Sequence, residues 1–276
     1  MKTGFIGTGS MGSILIEAFI QSGALQPEEI TASNRNPSKP EKLAERYPGL
    51  RAVLTNREVA EACRLLFVCV KPSEFKRVLP EIAPYLDPNH LVVSITSPVL
   101  IRHLEDQLPC KVAKIIPSIT NYVLSGAALC IYSDRLQPED KLLLDRLAGC
   151  ISRPIEVEES FTRVTSDISS CGPAFMAFLL QRFVDAAVEE TGIPREEATR
   201  LASEMLLGTG MLLTAGGFTP DELQKRVAVP GGITAEGLRL MDREVKDLFN
   251  QLIRITHAKY REDVDKVEAA FPNKKT

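Results

Sequence analysis

The sequence predicts a two-domain α/β protein in which a doubly wound parallel sheet precedes an all-helical domain. The chain has 276 residues, which exceeds one typical domain of about 100–150 residues. Up to about residue 155, short apolar strands alternate with helical stretches, as in a parallel sheet covered by helices. Beyond that point the sequence shows only helical periodicity. We therefore expect one domain at 1–158 and a helical domain at 159–276.

The expected strands are short apolar runs, which is typical of parallel strands buried on both faces. They cover Thr3–Ile6, Ile30–Ser33, Leu65–Val70, Leu91–Ile95, Val112–Ile116 and Ala127–Tyr132. Helices are expected between the first strands and throughout the second domain. They cover Gly12–Gln21, Lys39–Tyr47, Phe161–Thr191, Pro194–Leu213, Pro220–Val227 and Thr234–Tyr260. No convincing strand follows Val157.

The first long helix of the second domain is apolar on nearly every face. From 174 to 188 its apolar and small residues are interrupted only by Gln181, Arg182 and Asp185. A helix of this kind is normally buried all round. Because a domain of about 115 residues has little material to surround it, we expect a partner subunit to cover part of this helix.

Composition excludes several classes of protein. With 44% apolar and 25% charged residues and a net charge of −3, the chain is typical of a globular protein and offers no basic surface for nucleic acid. The longest apolar run of its C-terminal half, 173–180, is shorter than the roughly 20 residues of a spanning helix. With no signal peptide in view, we expect a cytoplasmic protein. None of the six cysteines forms a C-x-x-C pair, so no metal site is expected.

A glycine-rich turn directly follows the first strand and opens the first helix. It reads G-T-G-S-M-G at 7–12. Gly7 would permit the tight turn, Gly9 would let the backbone approach a diphosphate, and Gly12 would let helix and strand pack closely. The free N–H groups of the helix would then bind phosphate, together with the intervening Thr8, Ser10 and Met11. In this context the motif predicts a Rossmann-type dinucleotide site rather than a merely structural turn.

The end of the second strand distinguishes the two nicotinamide cofactors. An NAD site usually has Asp or Glu here, which accepts a hydrogen bond from the ribose 2′-hydroxyl. This chain instead has Ser33, Asn34 and Arg35. Arg35 can pair with a 2′-phosphate, and Ser33 and Asn34 can donate hydrogen bonds to it. The segment also reads as a solvated turn, but we expect NADPH rather than NADH.

The usual acid–base groups of dehydrogenases are missing. The three histidines are not in motif-like settings, and His90 and His103 read as surface or loop residues. No Tyr is followed four residues later by Lys, and no Lys lies between Ser169 and Glu190. A protonated cyclic imine suits such a site, because it accepts hydride without a strong general acid and mainly needs to be positioned.

Three further segments resemble those of the Δ1-pyrroline-5-carboxylate reductases. They are Val70-Lys71-Pro72, S-S-C-G-P-A at 169–174 and P-G-G-I-T-A-E-G-L at 230–238. With the glycine turn, the resemblance runs over essentially the whole chain. It implies a Rossmann domain followed by a dimerisation domain of interleaved helices, with dimers that often assemble into rings. It also implies reduction of 1-pyrroline-5-carboxylate, a small imino acid, to proline.

The resemblance also assigns roles to individual residues. Val70, Lys71 and Pro72 would lie near the nicotinamide, and Thr234 would form a hydrogen bond near the substrate ring nitrogen, as the catalytic residue. The backbone N–H groups of Gly231 and Gly232 would bind the substrate carboxylate. The remaining predicted pocket residues are Ser169, Ser170, Cys171 and Ile233. The alternatives are turn geometry for the glycines and a helix N-cap for Thr234.

The departures from the family pattern concentrate where substrate would bind. Val229 and Ile233 replace two hydroxyl residues, Ser118 and Thr120 replace Asn and Pro, and Glu236 stands where a small residue is usual. Losing a charge-assisted hydrogen bond costs about 1.5–3 kcal/mol. The pattern resembles that of the late competence (ComER) type of paralogue. This leaves three readings: the reductase, a regulatory protein of competence or sporulation that keeps the dinucleotide site, and a reductase of another small imine or carbonyl compound.

Overall fold

The computed structural model describes residues 1–271 and contains one eight-stranded sheet. The strands are β1 (Thr3–Ile6), β2 (Ile30–Ser33), β3 (Arg51–Val53), β4 (Leu65–Val68), β5 (Leu91–Ser94), β6 (Lys111–Ile116), β7 (Ala127–Tyr132) and β8 (Arg153–Glu156). Their order in the sheet is β3-β2-β1-β4-β5-β6-β7-β8. All neighbours are parallel except β6 and β7, which are antiparallel. The order reverses between β1 and β4, which is the topological switch point at which such sheets bind nucleotides.

Helices connect the strands and form nearly all of the C-terminal part of the chain. They are α1 (Ser10–Gln21), α2 (Ser38–Arg46), α3 (Asn56–Ala62), α4 (Phe75–Ile82), α5 (Ile101–Glu105), α6 (Pro138–Ile151), α7 (Thr162–Ser166), α8 (Gly172–Thr191), α9 (Arg195–Thr214), α10 (Pro220–Val227), α11 (Ile233–Val245) and α12 (Leu248–Ala270). The expected Rossmann-type sheet followed by an all-α region is confirmed.

The sheet is buried on both faces because the side chains of each strand alternate between two apolar layers. On β1, Phe5 belongs to one layer and Ile6 to the other. Phe5 stacks on Phe67 of β4 with ring centroids 5.1 Å apart, and Phe19 of α1 packs against both rings. This aromatic cluster attaches α1 to the sheet directly beneath the glycine turn.

Two details of the sheet differ from the sequence-based prediction. The short strands β3 and β8 were not expected. Each is at an edge of the sheet and contains exposed residues, so neither has the continuous apolar pattern of a buried strand. The prediction of a parallel sheet does not hold for β7, which runs antiparallel to β6. Its apolar sequence is the same for either direction, so hydrophobicity alone could not reveal the reversal.

The chain divides into two compact units. One contains Met1–Pro173 together with the chain from Thr256 onward, and the other contains Ala174–Ile255. The last strand ends at Glu156, close to the boundary expected from the change in periodicity. The division into domains at 1–158 and 159–276 stays a prediction.

The last two helices depart from the sequence-based prediction in two ways. A single helix was expected over 234–260, whereas the structure ends α11 at Val245 and begins α12 at Leu248. Neither Gly nor Pro marks this break, so the sequence carries no recognisable stop signal there. The helix α12 also continues ten residues beyond the expected end at Tyr260, to Ala270.

The helix α8 exposes much of its apolar surface. Met176, Phe178 and Phe183 are 41%, 55% and 66% exposed, and Val184 is the buried apolar residue of the helix. By length and composition, the helical run Glu159–Thr191 could also cross a membrane, with a mean hydropathy of 1.2 over its most apolar window. The sequence analysis predicted no such run. One helix of this kind is weak evidence, since the core helix of a soluble assembly passes the same test.

His103 is buried, contrary to the expectation of a surface residue. Its side chain is 5% exposed, its Nδ1 accepts a hydrogen bond from the backbone N–H of Leu100, and its ring stacks on Phe271. Burial lowers the pKa of His103 below its usual value. The ring is therefore kept neutral where α12 packs against α5.

We expect His103 to make stability depend on pH. Because its pKa is lower in the folded chain, the unfolded chain binds more protons as the pH falls through about 6.5. The contribution of His103 is complete above that pH and is lost below it. Urea unfolding at pH 7.5 and pH 5.5 measures this loss. The variant His103→Asn keeps an acceptor for Leu100 and should lose less stability between the two pH values. An equal loss in both proteins would contradict this assignment.

Candidate functional site

The glycine turn at the end of β1 brings three backbone segments very close together. Gly7 has a φ of 100° and donates its N–H to Ser33 O at 2.9 Å. A Cβ at Gly7 would lie 2.6 Å from Cys69 O, and a Cβ at Gly12 would lie 2.1 Å from Gly7 O. Both glycines are therefore required by the packing of β1, α1 and the end of β4.

Gly9 differs from the other two glycines because a Cβ there would meet no atom within 4 Å. It is the N-cap of α1 and has no side chain to satisfy the first N–H groups of the helix. Beside it, Thr8 is 2% exposed and its hydroxyl is buried without a hydrogen-bond partner in the described chain. Open space, free N–H groups and an unpaired hydroxyl suit the diphosphate of a dinucleotide.

The last residue of β2 and the two residues after it lie around this turn. Asn34 Oδ1 accepts a hydrogen bond from the N–H of Thr8 at 3.1 Å. The hydroxyl of Ser33 is buried and donates to Asn56 Oδ1 at 2.7 Å, so it faces α3. Arg35 is 79% exposed at the rim of the site. Of the three candidates for the 2′-phosphate, Arg35 is thus the one that reaches outward from the sheet edge.

Sequence reasoning missed two further arginines beside Arg35. Arg57 of α3 and Arg77 of α4 line the same cavity of about 360 Å³. Carboxylates balance all three charges, with Arg35 3.4 Å from Glu74, which also pairs with Arg77. The remaining pairs are Arg57–Glu61 and Arg77–Glu81. Arg57 follows the short strand β3, so recognising that strand would have placed it at the carboxyl edge of the sheet.

A second cavity continues from the glycine turn toward β4. It has a volume of about 480 Å³ and is lined by Gly7, Gly9, Arg35, Val70 and Lys71, among others. Pro72 begins a short 3₁₀ turn that leads into α4. Ser10 and Met11 form the first turn of α1, at the same edge. All of the predicted cofactor residues are thus brought to the carboxyl edge of β1, β2 and β4.

Lys71 is one of four exposed cationic side chains that line this cavity, with Arg35, Lys39 and Arg77. Its ammonium group forms no ion pair within residues 1–271. Cys69, two residues earlier, is shielded, and burial raises the pKa of its thiol well above its usual value. Lys71 is therefore available to an anion, whereas Cys69 only fills space.

The Ser169–Cys171 segment lies at the same edge, beside the end of β6. It belongs to a π-helical turn, Asp167–Cys171, between α7 and α8. Ser118 Oγ donates to Ser169 O, and Ser170 Oγ donates to Pro117 O, both at 2.9 Å. A dinucleotide with its adenosine at β2 and its diphosphate at β1 would extend toward β4, β5 and β6. The turn therefore lies at the end of the edge toward which such a dinucleotide would extend.

A fully buried lysine supports this end of the sheet. Lys114 of β6 is 0% exposed, and its ammonium group donates to Ser97 O and to Glu159 Oε1. Burial lowers the pKa of Lys114, and the neighbouring Glu159 carboxylate partly offsets this effect. Tyr260 of α12 also donates to Ser97 O, at 3.2 Å. These bonds tie the loop after β5 to the C-terminal helix.

The 230–234 segment belongs to the other compact unit. Gly231 has a φ of 74°, and the N–H of Gly232 donates to Val229 O. Gly232 rather than Thr234 is the N-cap of α11, so capping does not explain the threonine. Thr234 lines an apolar cavity of about 310 Å³ within this unit. Ile233 is 93% exposed.

Glu236 does not present a free carboxylate in the first turn of α11. It pairs with Arg239 at 2.5 Å, one turn further along the same helix face. The acidic charge that sequence analysis expected to repel a substrate carboxylate is therefore partly balanced.

Two family models match the chain, one in each half. Residues 2–98 match the model described as NADP oxidoreductase coenzyme F420-dependent, and residues 158–263 match pyrroline-5-carboxylate reductase dimerisation. Pyrroline-5-carboxylate reductase 3 of Bacillus subtilis is 30% identical over 94% of the chain and 95% of its own length. The chain belongs to the pyrroline-5-carboxylate reductase family.

Two further relatives refine this placement. ComE operon protein 4 of Bacillus subtilis is 42% identical over 98% of the chain and 99% of its own length. The crystal structure of the Plasmodium falciparum pyrroline carboxylate reductase with NADP bound has a TM-score of 0.81, at 25% identity over 98% of both chains. Membership of this family confirms an oxidoreductase and supports a nicotinamide dinucleotide as its cofactor.

We expect the variant Gly9→Ala to separate folding from cofactor binding. Its methyl group would meet no protein atom but would occupy the open space over the N-terminus of α1. The dissociation constant for NADPH should rise at least about 10-fold, or about 1.4 kcal/mol, while thermal unfolding changes little. Titration of NADPH fluorescence measures the binding. Gly149→Ala on α6, which also meets no atom, is the control and should leave binding unchanged. Wild-type affinity in Gly9→Ala would exclude a diphosphate at this turn.

Proposed function

We propose that this protein uses NADPH to reduce a cyclic imine, 1-pyrroline-5-carboxylate, to proline. The observation that carries the proposal is the continuous carboxyl edge of the sheet, which joins the glycine turn to the Ser169–Cys171 turn within one compact unit. Family membership supports the reaction. The cytoplasm is the compartment we propose for this activity.

The protein residues of the Rossmann-type unit would bind and orient the cofactor. The N–H groups at the start of α1 and the Thr8 hydroxyl would hold the diphosphate. Arg35, with Arg57 and Arg77 behind it, would bind the 2′-phosphate and so select NADPH. Val70 and Lys71 would lie along the nicotinamide half. When bound, the nicotinamide would supply the hydride that reduces the imine.

Residues of the Ala174–Ile255 unit have proposed roles in binding the substrate. We propose that Thr234 forms a hydrogen bond to the ring nitrogen, and that the N–H groups of Gly231 and Gly232 bind the carboxylate. In the Rossmann-type unit, the ammonium group of Lys71 would attract an anionic ligand. Such a site needs no strong general acid, because a protonated imine already carries the charge that attracts hydride.

We also propose a homodimer formed through the helical region. The exposed apolar side chains of α8 continue on α9 with Leu201, Met205 and Leu207, which are 55%, 48% and 60% exposed. Apolar surface on two consecutive long helices favours burial against a second copy. The match of residues 158–263 to a dimerisation model supports this assembly.

A second candidate function is regulatory. The 42% identity to ComE operon protein 4 favours a paralogue that keeps the dinucleotide site and acts in competence or sporulation. The altered loop supports this reading, because Val229 and Ile233 offer no hydroxyl donors. The two functions differ in whether bound NADPH is consumed.

Purified protein supplied with NADPH and 1-pyrroline-5-carboxylate should oxidise the cofactor. The fall in absorbance of the reduced nicotinamide measures this turnover.

We expect Val229→Ser with Ile233→Thr to raise kcat/KM about 10- to 100-fold, because each hydroxyl adds a donor near an anion. Both positions are exposed, so the changes should be tolerated. Leu142→Ser, on exposed α6 surface, is the control. Tight NADPH binding without turnover in any of these proteins would leave the regulatory function.

Cofactor preference should depend on Arg35. In Arg35→Gln, the dissociation constant for NADPH should rise about 10- to 100-fold through loss of a charge-assisted pair. The constant for NADH, which lacks the 2′-phosphate, should change less than about threefold. Arg46→Gln on α2, where Arg46 pairs with Glu17, is the matched control. Equal weakening of both cofactors would show that Arg35 does not read the phosphate.

A further inference from the structure

A buried carboxylate begins the π-helical turn that carries Ser169, Ser170 and Cys171. Asp167 is 5% exposed, and a carboxylate is rarely buried so fully unless it is paired. None of the roles proposed above uses this residue. Turns of the π type occur mostly as single-turn insertions and frequently at functional sites.

Asp167 joins two parts of the chain that are distant in sequence. Its Oδ1 lies 2.9 Å from Arg163 Nη2, one helical turn earlier on α7. Its Oδ2 accepts a hydrogen bond from Thr256 Oγ1 of α12 at 2.7 Å, and His257 Nε2 lies 3.8 Å from the same oxygen. The start of the turn is therefore held against the C-terminal helix.

Arg163 connects this carboxylate to the far end of the turn. Its Nη2 also donates to Cys171 Sγ at 3.3 Å. The guanidinium is 17% exposed at the side chain and lies 5.8 Å from the ring centroid of Tyr260. Because the sulfur accepts this N–H, the hydrogen of the thiol must point to another side.

The middle of the turn is fixed independently. The hydrogen bonds of Ser118 to Ser169 O and of Ser170 to Pro117 O attach it to the end of β6. Asp167 and Arg163 thus hold the two ends, while the segment after β6 holds the centre. The position of the Cys171 thiol depends on both sets of contacts.

We propose that Asp167 and Arg163 are positioning residues of this turn, and that they determine which part of the imine lies against it. The proposal rests on the reductase function above. Because Asp167 neutralises Arg163, the turn presents a thiol and hydroxyl groups but no net charge. This surface suits the CH₂ groups of a small cyclic imine better than its carboxylate.

Two measurements on the full-length protein test this proposal. The first is the rate at which iodoacetamide alkylates Cys171, relative to the exposed Cys150 in the same molecule, followed by peptide mass spectrometry. The second is KM for 1-pyrroline-5-carboxylate, compared with the dissociation constant for NADPH. If Asp167 and Arg163 only supported the fold, their variants would leave the alkylation ratio unchanged. They would also not raise KM for the imine without weakening NADPH binding.

We expect Asp167→Ala to change the alkylation ratio at least about fivefold and to raise KM for the imine by a similar factor. The dissociation constant for NADPH should stay within about twofold of wild type. Removing the carboxylate leaves the charge of Arg163 buried without its partner. Arg163→Lys keeps the charge but loses the guanidinium Nη2 that contacts both Asp167 and Cys171, so it should have the same effects. The neutral pair Arg163→Gln with Asp167→Asn should lie closer to wild type than either single change, since the two sites are coupled.

Asp185→Asn on α8 is the control, because Asp185 also pairs with an arginine, Arg195, but is 30% exposed. It should leave both measurements unchanged. If Asp167→Ala does not fold, Arg163→Lys carries the test. Alkylation ratios and KM values within about twofold of wild type in the folded variants would overturn the proposal. If wild-type protein shows no imine turnover, the proposed function fails, and the alkylation ratio still decides whether Asp167 and Arg163 position the turn.

Discussion

The close approach of β1, α1 and β4 at the glycine turn is the constraint on which the nucleotide-binding part of the structure depends. A side chain at Gly7 would collide with the carbonyl of Cys69, and one at Gly12 would collide with the carbonyl of Gly7. With both positions bare, the aromatic cluster around Phe5 can pack α1 onto the sheet. The N-terminus of that helix then points into open space at Gly9. The same backbone geometry thus packs the helix onto the sheet and leaves its N-terminus open.

The opposite end of the carboxyl edge is built from buried charge instead of glycine. Lys114 with Glu159, and Arg163 with Asp167, are ion pairs in which at least one partner is almost fully buried. Such pairs add little net stability but are costly to break singly, so they favour one arrangement of the groups around them. Here they connect β6, the loop after β5 and the C-terminal helix α12. This end of the edge is therefore held in one arrangement by paired charges.

The sequence was sufficient for the features that depend on local patterns. Apolar runs located six of the strands, and the predicted cofactor residues, Arg35 among them, lie together at the carboxyl edge of the sheet. The strand β3 and with it Arg57 were missed, because a strand of three residues with a single buried side chain is too short to carry a periodic signal. His103 and Asp167 were missed because their burial depends on α12, which is more than 80 residues away in the chain. Long-range contacts of polar side chains have no signature in a single sequence.

The central claim is that the edge from the glycine turn to the Ser169–Cys171 turn supports hydride transfer to an imine. The most direct measurement uses NADPH that carries deuterium at C4 of one face of the nicotinamide, with 1-pyrroline-5-carboxylate as acceptor. Mass spectrometry of the product should find proline with one deuterium at the former imine carbon, from one of the two cofactor faces only. If the protein is saturated with cofactor and neither labelled form of NADPH transfers deuterium to proline, the claim is contradicted.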